Sequence, residues 1–377
     1  MLAYSEAMVK VQISMKVISV VGARPQFVKL APIDRALKLG GHEHIIVHTG
    51  QHYDPEMSEN FFTDLGISKP DINLDVGSGS HAKQTASMMP GLEEVFLSQK
   101  ADWVLVYGDT NSTLAAALVA VKIHQKVAHL EAGLRSFNRR MPEEHNRVLT
   151  DHSSDMLLAP TEEAMRHLAD ENLSMRAVLV GDVMVDVCLD TYAKASSGVL
   201  SDLGLQADEY YVATIHRPDN TDNPGRLTEI LTFLDNLESK VILAAHPRLR
   251  AKLIEFKIDL DFKKIQLVTP LGYPDLVTVL ANAKAAITDS GGLQKEAFLL
   301  RTPCVTLRTE TEWVETVELG VNLVNNSPSV QEAQKFISEV NGKEWPQDTP
   351  YGAGDAALKV VQALERSLVP NELLRQS

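Results

Sequence analysis

Three carboxylates in the first half of this 377-residue chain stand at or just beyond the ends of apolar runs. Asp109 follows "WVLVYG", Glu131 follows "VAHL", and Glu143 lies in "MPEEHNR" with Glu144 and Arg147 beside it. Proton transfer needs carboxylates or histidines whose environments set their pKa values apart, and strand ends provide such places. Each residue also has a plainer reading. Asp109 before "TNST" suits a helix cap. Glu131 at the end of a buried strand needs a partner, which Arg135 or Arg147 could supply in a purely structural ion pair. Glu143 follows Pro142 as an ordinary first-turn acid favoured by the helix dipole. On successive loops the three together point to one rim where protons are handled.

The second half has a different chemistry. "TDSGGLQKEA" places Ser290, Gly291 and Gly292 just before a helix. Backbone N–H groups there, with glycines allowing close approach, suit an anion. Glu296, one turn further, can accept two hydrogen bonds from a vicinal diol such as a ribose. The alternative is a tight turn followed by a solvated acid. His216 and Arg217 in "ATIHRPDN", and His246 and Arg248 in "AAHPRLR", stand at two more strand ends and lean toward an anionic ligand. No HExxH or paired CxxC implies a metal, and neither a P-loop nor a GxSxG elbow is present. The first strand, in "VISVVGARPQF", runs into Gly22 without the GxGxxG that hydride cofactors need, and Arg24 stands where a phosphate would approach. No cofactor is expected.

Short apolar runs position these groups. They fall at 16–22, 43–50, 102–109, 126–133, 155–161, 176–182, 209–216, 240–247, 264–270, 284–292 and 302–308, with helical periodicity between them, as at Ser112–His124 and Pro224–Glu238. Strands alternating with helices imply α/β architecture with parallel sheets covered on both faces. The polar stretch Thr191–Asp208 reads as a linker. The expected organisation is therefore two doubly wound domains: residues 1–190 with the carboxylates, and 191–355 with the anion site. Ligands of such sheets bind beyond the carboxyl ends of the strands, and two facing domains would hold one ligand in the cleft between them.

Composition narrows the partners. With 50 acidic and 36 basic residues the net charge is −14, which argues against nucleic acid. No apolar run approaches the roughly 18 residues of a membrane span. Residues 1–14 lack the apolar core of a signal peptide and are expected to form a poorly ordered extension, with Met15 as the natural start. Cys188 and Cys304 read as buried thiols of a reducing compartment, and a cytoplasmic location is expected.

Taken in order, "GARPQFVK", "TGQHYD", "YGDTNST", "HLEAGLRS", "MPEEHNR", "HRPDN" and "TDSGGLQKEA" resemble the non-hydrolysing UDP-N-acetylglucosamine 2-epimerases. The similarity runs from about Lys16 to Gly320 and continues weakly through "YGAGDAA". The resemblance implies the GT-B architecture, with residues 356–377 forming a helix that returns to the first domain. It implies interconversion of UDP-N-acetylglucosamine and UDP-N-acetylmannosamine without a redox cofactor, by elimination of UDP to a 2-acetamidoglucal and re-addition. Asp109, Glu131 and Glu143 match the family's essential acids, and His216 matches a histidine near diphosphate and sugar. Arg24 and Lys29 match phosphate-site cations, Arg147 the arginine of "PEExNR", and Leu276 the position that packs the uracil. Ser290, Gly291 and Gly292 match the diphosphate turn, and Glu296 the ribose ligand. A UDP-sugar substrate and a homodimer follow from the same resemblance.

Departures qualify it. "QKEA", "TETEWVE" and "GARPQF" replace the commoner "QEEA", "TTERPE" and "GTRPE". These spellings resemble a subgroup with archaeal enzymes and epimerases of UDP-2,3-diacetamido-2,3-dideoxyglucuronate, so that substrate is the alternative. Some members carry an activating UDP-N-acetylglucosamine site around Gln-His-x-Gln. Here Asp54 ends the segment Gln51-His52-Tyr53-Asp54 and would repel a diphosphate, so activation is expected to be absent or altered. A hydrolysing epimerase and a GT-B glycosyltransferase are the remaining rivals. A transferase has no need of the three acids.

Overall fold

β-Branched runs such as Val17–Val21 can be buried on both faces only inside a sheet that carries helices on both sides. The computed structural model builds two such sheets; it describes residues 14–51, 69–195, 198–258 and 261–368, without the side chain of Arg24. One compact unit comprises the chain up to Val187 and from Pro350 onward, and the other runs from Cys188 to Thr349. The boundary falls inside the helix Val183–Ala193, so the whole stretch read as a linker belongs to the second unit, partly as the short helix Gly198–Asp202.

The first sheet holds β1 (Lys16–Val21), β2 (Glu43–His48), β3 (Ile72–Asn73), β4 (Trp103–Tyr107), β5 (Val127–Leu130), β6 (Met156–Ala159) and β7 (Ala177–Leu179). All pair in parallel, in the order β3-β2-β1-β4-β5-β6-β7. One face packs on Phe27, Leu30 and Ile33 of the helix Arg24–Leu39 and on Val360 and Leu364 of the helix Ala356–Arg366. The other packs on Met88, Leu92 and Phe96 and on the alanines of the helix Asn111–Lys122. Asp186 accepts the N–H groups of Ala356 and Ala357 at 3.2 and 2.9 Å, and so caps the last described helix from far away in sequence.

The second sheet holds β8 (Tyr210–Thr214), β9 (Lys240–Ala244), β10 (Ile265–Val268), β11 (Ala285–Thr288), β12 (Cys304–Thr306) and β13 (Asn322–Val324). It too is parallel, in the order β10-β9-β8-β11-β12-β13. Both sheets reverse direction of winding once, between β1 and β4 and between β8 and β11. Those are the switch points at which doubly wound sheets bind ligands.

Inside the first unit, Ser19, His44 and Asp34 are chained in the manner of a nucleophilic triad. His44 Nε2 lies 2.8 Å from Ser19 Oγ and Nδ1 lies 2.7 Å from Asp34 Oδ1. Ser19 is fully buried in β1 and also bonds the Tyr107 hydroxyl at 2.8 Å, so no substrate reaches it. The chain instead fastens the Arg24 helix to β1 and β2, and that helix carries Lys29. Burial raises the Asp34 carboxyl, but hydrogen bonds from His44 and Lys38 hold it far below the usual carboxylate range.

Both cysteines are free and buried, and burial pushes each thiol up to about 12. Among the described residues no helix is long and apolar enough to cross a membrane. Residues 1–13 and His52, Tyr53 and Asp54 of the segment read as an activating site lie outside the described residues. Gln51 is described. It is buried, and its Oε1 accepts from the N–H and hydroxyl of Ser112 at 3.1 and 2.6 Å.

Candidate active site

At the first switch point the turn after β1 is closed by protein groups. Gln26 Oε1 accepts the N–H groups of Gly22 and Ala23 at 2.8 and 2.9 Å, and its Nε2 donates to the Tyr107 carbonyl at 2.7 Å. A Cβ on Gly22 would lie 2.1 Å from Ser112 Oγ and 2.2 Å from Thr49 Oγ1. The glycine is thus required by neighbouring side chains, and the loop's N–H groups are already occupied. Arg24 opens the helix at its first position.

Lys29, on that helix, ion-pairs with Glu131. Burial pushes the Lys29 ammonium down, but Glu131, then Asp182 and Asp109, more than offset it, so its pKa is raised and the cation persists. Glu131 adopts φ +68° immediately after β5. A non-glycine residue in the left-handed region costs about 1–2 kcal/mol, and such strain concentrates at functional sites. Its N–H donates to the Leu158 carbonyl at 3.1 Å, which holds the turn.

Asp109 does not cap the helix that follows. Thr110 does, accepting from the Thr113 N–H, while Asp109 pairs with Arg147 and keeps 32% of its side chain exposed. The ion-pair partners proposed for Glu131 are also reassigned. Arg147 takes Asp109 and Glu144, and Arg135 takes Asp151 and Glu171. Within "PEEHNR" the two acids divide. Glu144 is buried and accepts from the N–H and hydroxyl of Ser136 and the N–H of Phe137, with Arg147 3.2 Å away. Burial raises its carboxyl, but those bonds hold it below its ordinary value. Glu143 is exposed in the first helical turn. The structure therefore brings Lys29, Glu131, Asp109 and Arg147 to the ends of β4 and β5 and leaves Glu143 facing solvent.

The second switch point is organised around a residue that sequence reasoning passed over. Asp289 is fully buried between β11 and the helix Gly291–Leu299. It accepts the N–H groups of His216 at 3.1 Å and Arg217 at 2.9 Å and the Asn220 amide at 3.1 Å, and lies 3.2 Å from His216 Nδ1. The His216 ring is 39% exposed. A carboxylate at the end of a buried strand was signal enough, by the argument applied to Glu131.

Ser290 is the N-cap, its hydroxyl accepting from Leu293. A Cβ on Gly292 would meet only Ser290 Oγ, at 3.8 Å, so this turn is open where that of Gly22 is crowded. Trp313 Nε1 donates to the Gly291 carbonyl at 2.6 Å, and the Lys295 ammonium sits 4.6 Å from the Trp313 ring centroid. Burial pushes the Glu296 carboxyl up to about 7, opposed by the Tyr273 hydroxyl and the Lys295 charge. Leu276 is partly buried against the core of this unit. His246 and Arg248, read as leaning toward an anion, are otherwise engaged. His246 Nδ1 caps its own helix by accepting from Arg248 N–H at 3.2 Å, and Arg248 binds Asp222 at 2.6 Å.

Two parallel doubly wound sheets, each presenting its polar groups at a switch point, define a protein of the GT-B class. The sequence pattern of the UDP-N-acetylglucosamine 2-epimerase family matches residues 35–365, and the chain belongs to that family and is an epimerase. A Methanococcus maripaludis protein described as a UDP-N-acetylglucosamine 2-epimerase homolog is 44% identical over 93% of this chain and 99% of its own. The Pseudomonas aeruginosa UDP-2,3-diacetamido-2,3-dideoxy-D-glucuronate 2-epimerase is 42% identical over 93% of this chain and all of its own (100%). The crystal structure of Methanocaldococcus jannaschii UDP-GlcNAc 2-epimerase in complex with UDP-GlcNAc and UDP superposes with TM-score 0.76 at 40% identity, covering 93% and 100% of the two chains.

Proposed function

We propose that the chain interconverts UDP-N-acetylglucosamine and UDP-N-acetylmannosamine by eliminating UDP to a 2-acetamidoglucal and adding it back, supplying cell-surface polysaccharide synthesis from the cytoplasm as a homodimer. The proton on carbon 2 is weakly acidic because no carbonyl adjoins it. Departure of UDP must therefore run ahead, with cations and N–H groups stabilising the diphosphate and carboxylates handling the proton. Asp109, Glu131 and Glu143 take the proton chemistry. Arg24, Lys29 and Arg147 supply positive charge, and His216, oriented by Asp289, attends diphosphate and sugar. Ser290, Gly291 and Gly292 receive the diphosphate, Glu296 the ribose, and Leu276 the uracil.

The observation that carries this reading is the strained Glu131 paired with Lys29 at the first switch point of a chain in this family. Incubation with UDP-N-acetylglucosamine in deuterated water tests it. Deuterium at carbon 2 of intact UDP-sugar is expected; release of free N-acetylmannosamine would mean a hydrolysing enzyme. A second reading, for UDP-2,3-diacetamido-2,3-dideoxyglucuronate, is favoured by the 42% identity to the P. aeruginosa enzyme. Exchange with that sugar alone would establish it.

A further inference from the structure

His129 lies in β5, fully buried, two residues before Glu131. Its Nδ1 is 2.6 Å from Asp151 Oδ1 and its Nε2 is 2.7 Å from the carbonyl of Gly108, the residue before Asp109. A peptide carbonyl only accepts hydrogen bonds, and so does an ionised carboxylate. Asp151 is also fully buried, and its other oxygen accepts the Gly133 N–H at 3.0 Å and the Arg135 guanidinium at 2.7 Å. An adjacent guanidinium keeps a carboxylate ionised. Both nitrogens of the His129 ring must then carry hydrogen.

We infer that His129 is a buried imidazolium which, with Asp151, clamps together the turns that carry Asp109 and Glu131. The ring fixes the Gly108 carbonyl and the carboxylate fixes Gly133, so both turns hang on one charge pair. The turn at Glu131 needs fixing, because its φ is +68°. Arg135 also pairs with Glu171, which meets His152 at 3.0 Å. His129 and Asp151 act here as positioning residues. The inference rests on the proposed reaction only for the effect on turnover.

The test is ¹⁵N-histidine NMR of the unliganded full chain, with His129 assigned by its loss in His129→Gln. Protonation of both ring nitrogens around neutral pH is expected, and a neutral ring in the wild type overturns the inference whatever the substrate proves to be. Asp151→Asn is the paired variant. Its amide can still accept from Gly133 and donate to Nδ1, which turns the ring neutral while Nε2 keeps Gly108. Misplacement of reacting groups by about 1 Å can cost on the order of 100-fold. A kcat fall of about 10- to 100-fold with unchanged UDP affinity is therefore expected for His129→Phe, which removes the bond to Gly108, whereas Asp151→Asn, which keeps both bonds, should stay closer to the wild type. A lowered melting temperature with normal kcat per folded molecule would reduce the pair to a structural element and overturn the positioning role. Absence of deuterium exchange in the wild type with either UDP-sugar would refute the reaction, and the ring's protonation would still be decided.

Discussion

The two switch points have the same topology and opposite contents. Between β1 and β4 the loop N–H groups are occupied by Gln26, the glycine is walled in by side chains, and charged groups stand at the strand ends. Between β8 and β11 the helix start is open, and the buried Asp289 serves mainly to hold His216 and Arg217. One crevice has its backbone N–H groups taken by Gln26, and the strand ends beside it carry paired charges. The other keeps an open helix start. On the proposed reading the first crevice serves the chemistry and the second the binding, and what separates them is which groups take the backbone N–H groups.

The largest expected effect tests that division directly. Asp109→Asn and Glu131→Gln should each lower epimerisation by about 10²–10⁴-fold while isothermal titration finds UDP affinity nearly unchanged. Equal losses in both would merge the two roles. Next come the glycines. Gly22→Ala drives a methyl into Ser112 and Thr49 and should cost about 1–3 kcal/mol of stability in denaturant titration. Gly292→Ala should leave stability within about 0.5 kcal/mol and weaken UDP instead. The reverse pattern would break the contrast between a packed and an open turn.

The smallest effect concerns Glu296. Only its ionised form accepts from both ribose hydroxyls, and its carboxyl is pushed up to about 7. The preference for UDP over 2′-deoxy-UDP should therefore grow as pH rises through that value. The fold responds in the opposite sense. A raised folded pKa means the native state holds the proton longer, so this group's contribution to stability declines from the ordinary carboxylate range up to about pH 7. A pH-independent nucleotide preference would remove Glu296 from the ribose.

The strands of both sheets were legible where they were buried. Every apolar run identified in the sequence contains an observed strand, whereas β3 and β13 were not anticipated. Those two lie at sheet edges, are two and three residues long, and have no apolar run to announce them. Asp109 and Glu131 were legible because a carboxylate after a buried strand demands explanation. Their partners were not, because Lys29 and Arg147 reach them through folding across 102 and 38 positions of sequence. His246 misled because a helix-capping histidine and an anion-binding one look alike in a single sequence. Asp289 was missed because the glycines beside it offered a louder motif.

Glu131 also bears on how this enzyme could be engineered. Its backbone sits in a conformation that glycine adopts freely, but Glu131→Gly would leave the buried Lys29 ammonium without its ion-pair partner, and an unpaired buried charge costs about 3–5 kcal/mol against about 1–2 kcal/mol of strain relieved. A screen for thermal tolerance alone therefore keeps Glu131, and the strained turn survives a selection that never looks at turnover.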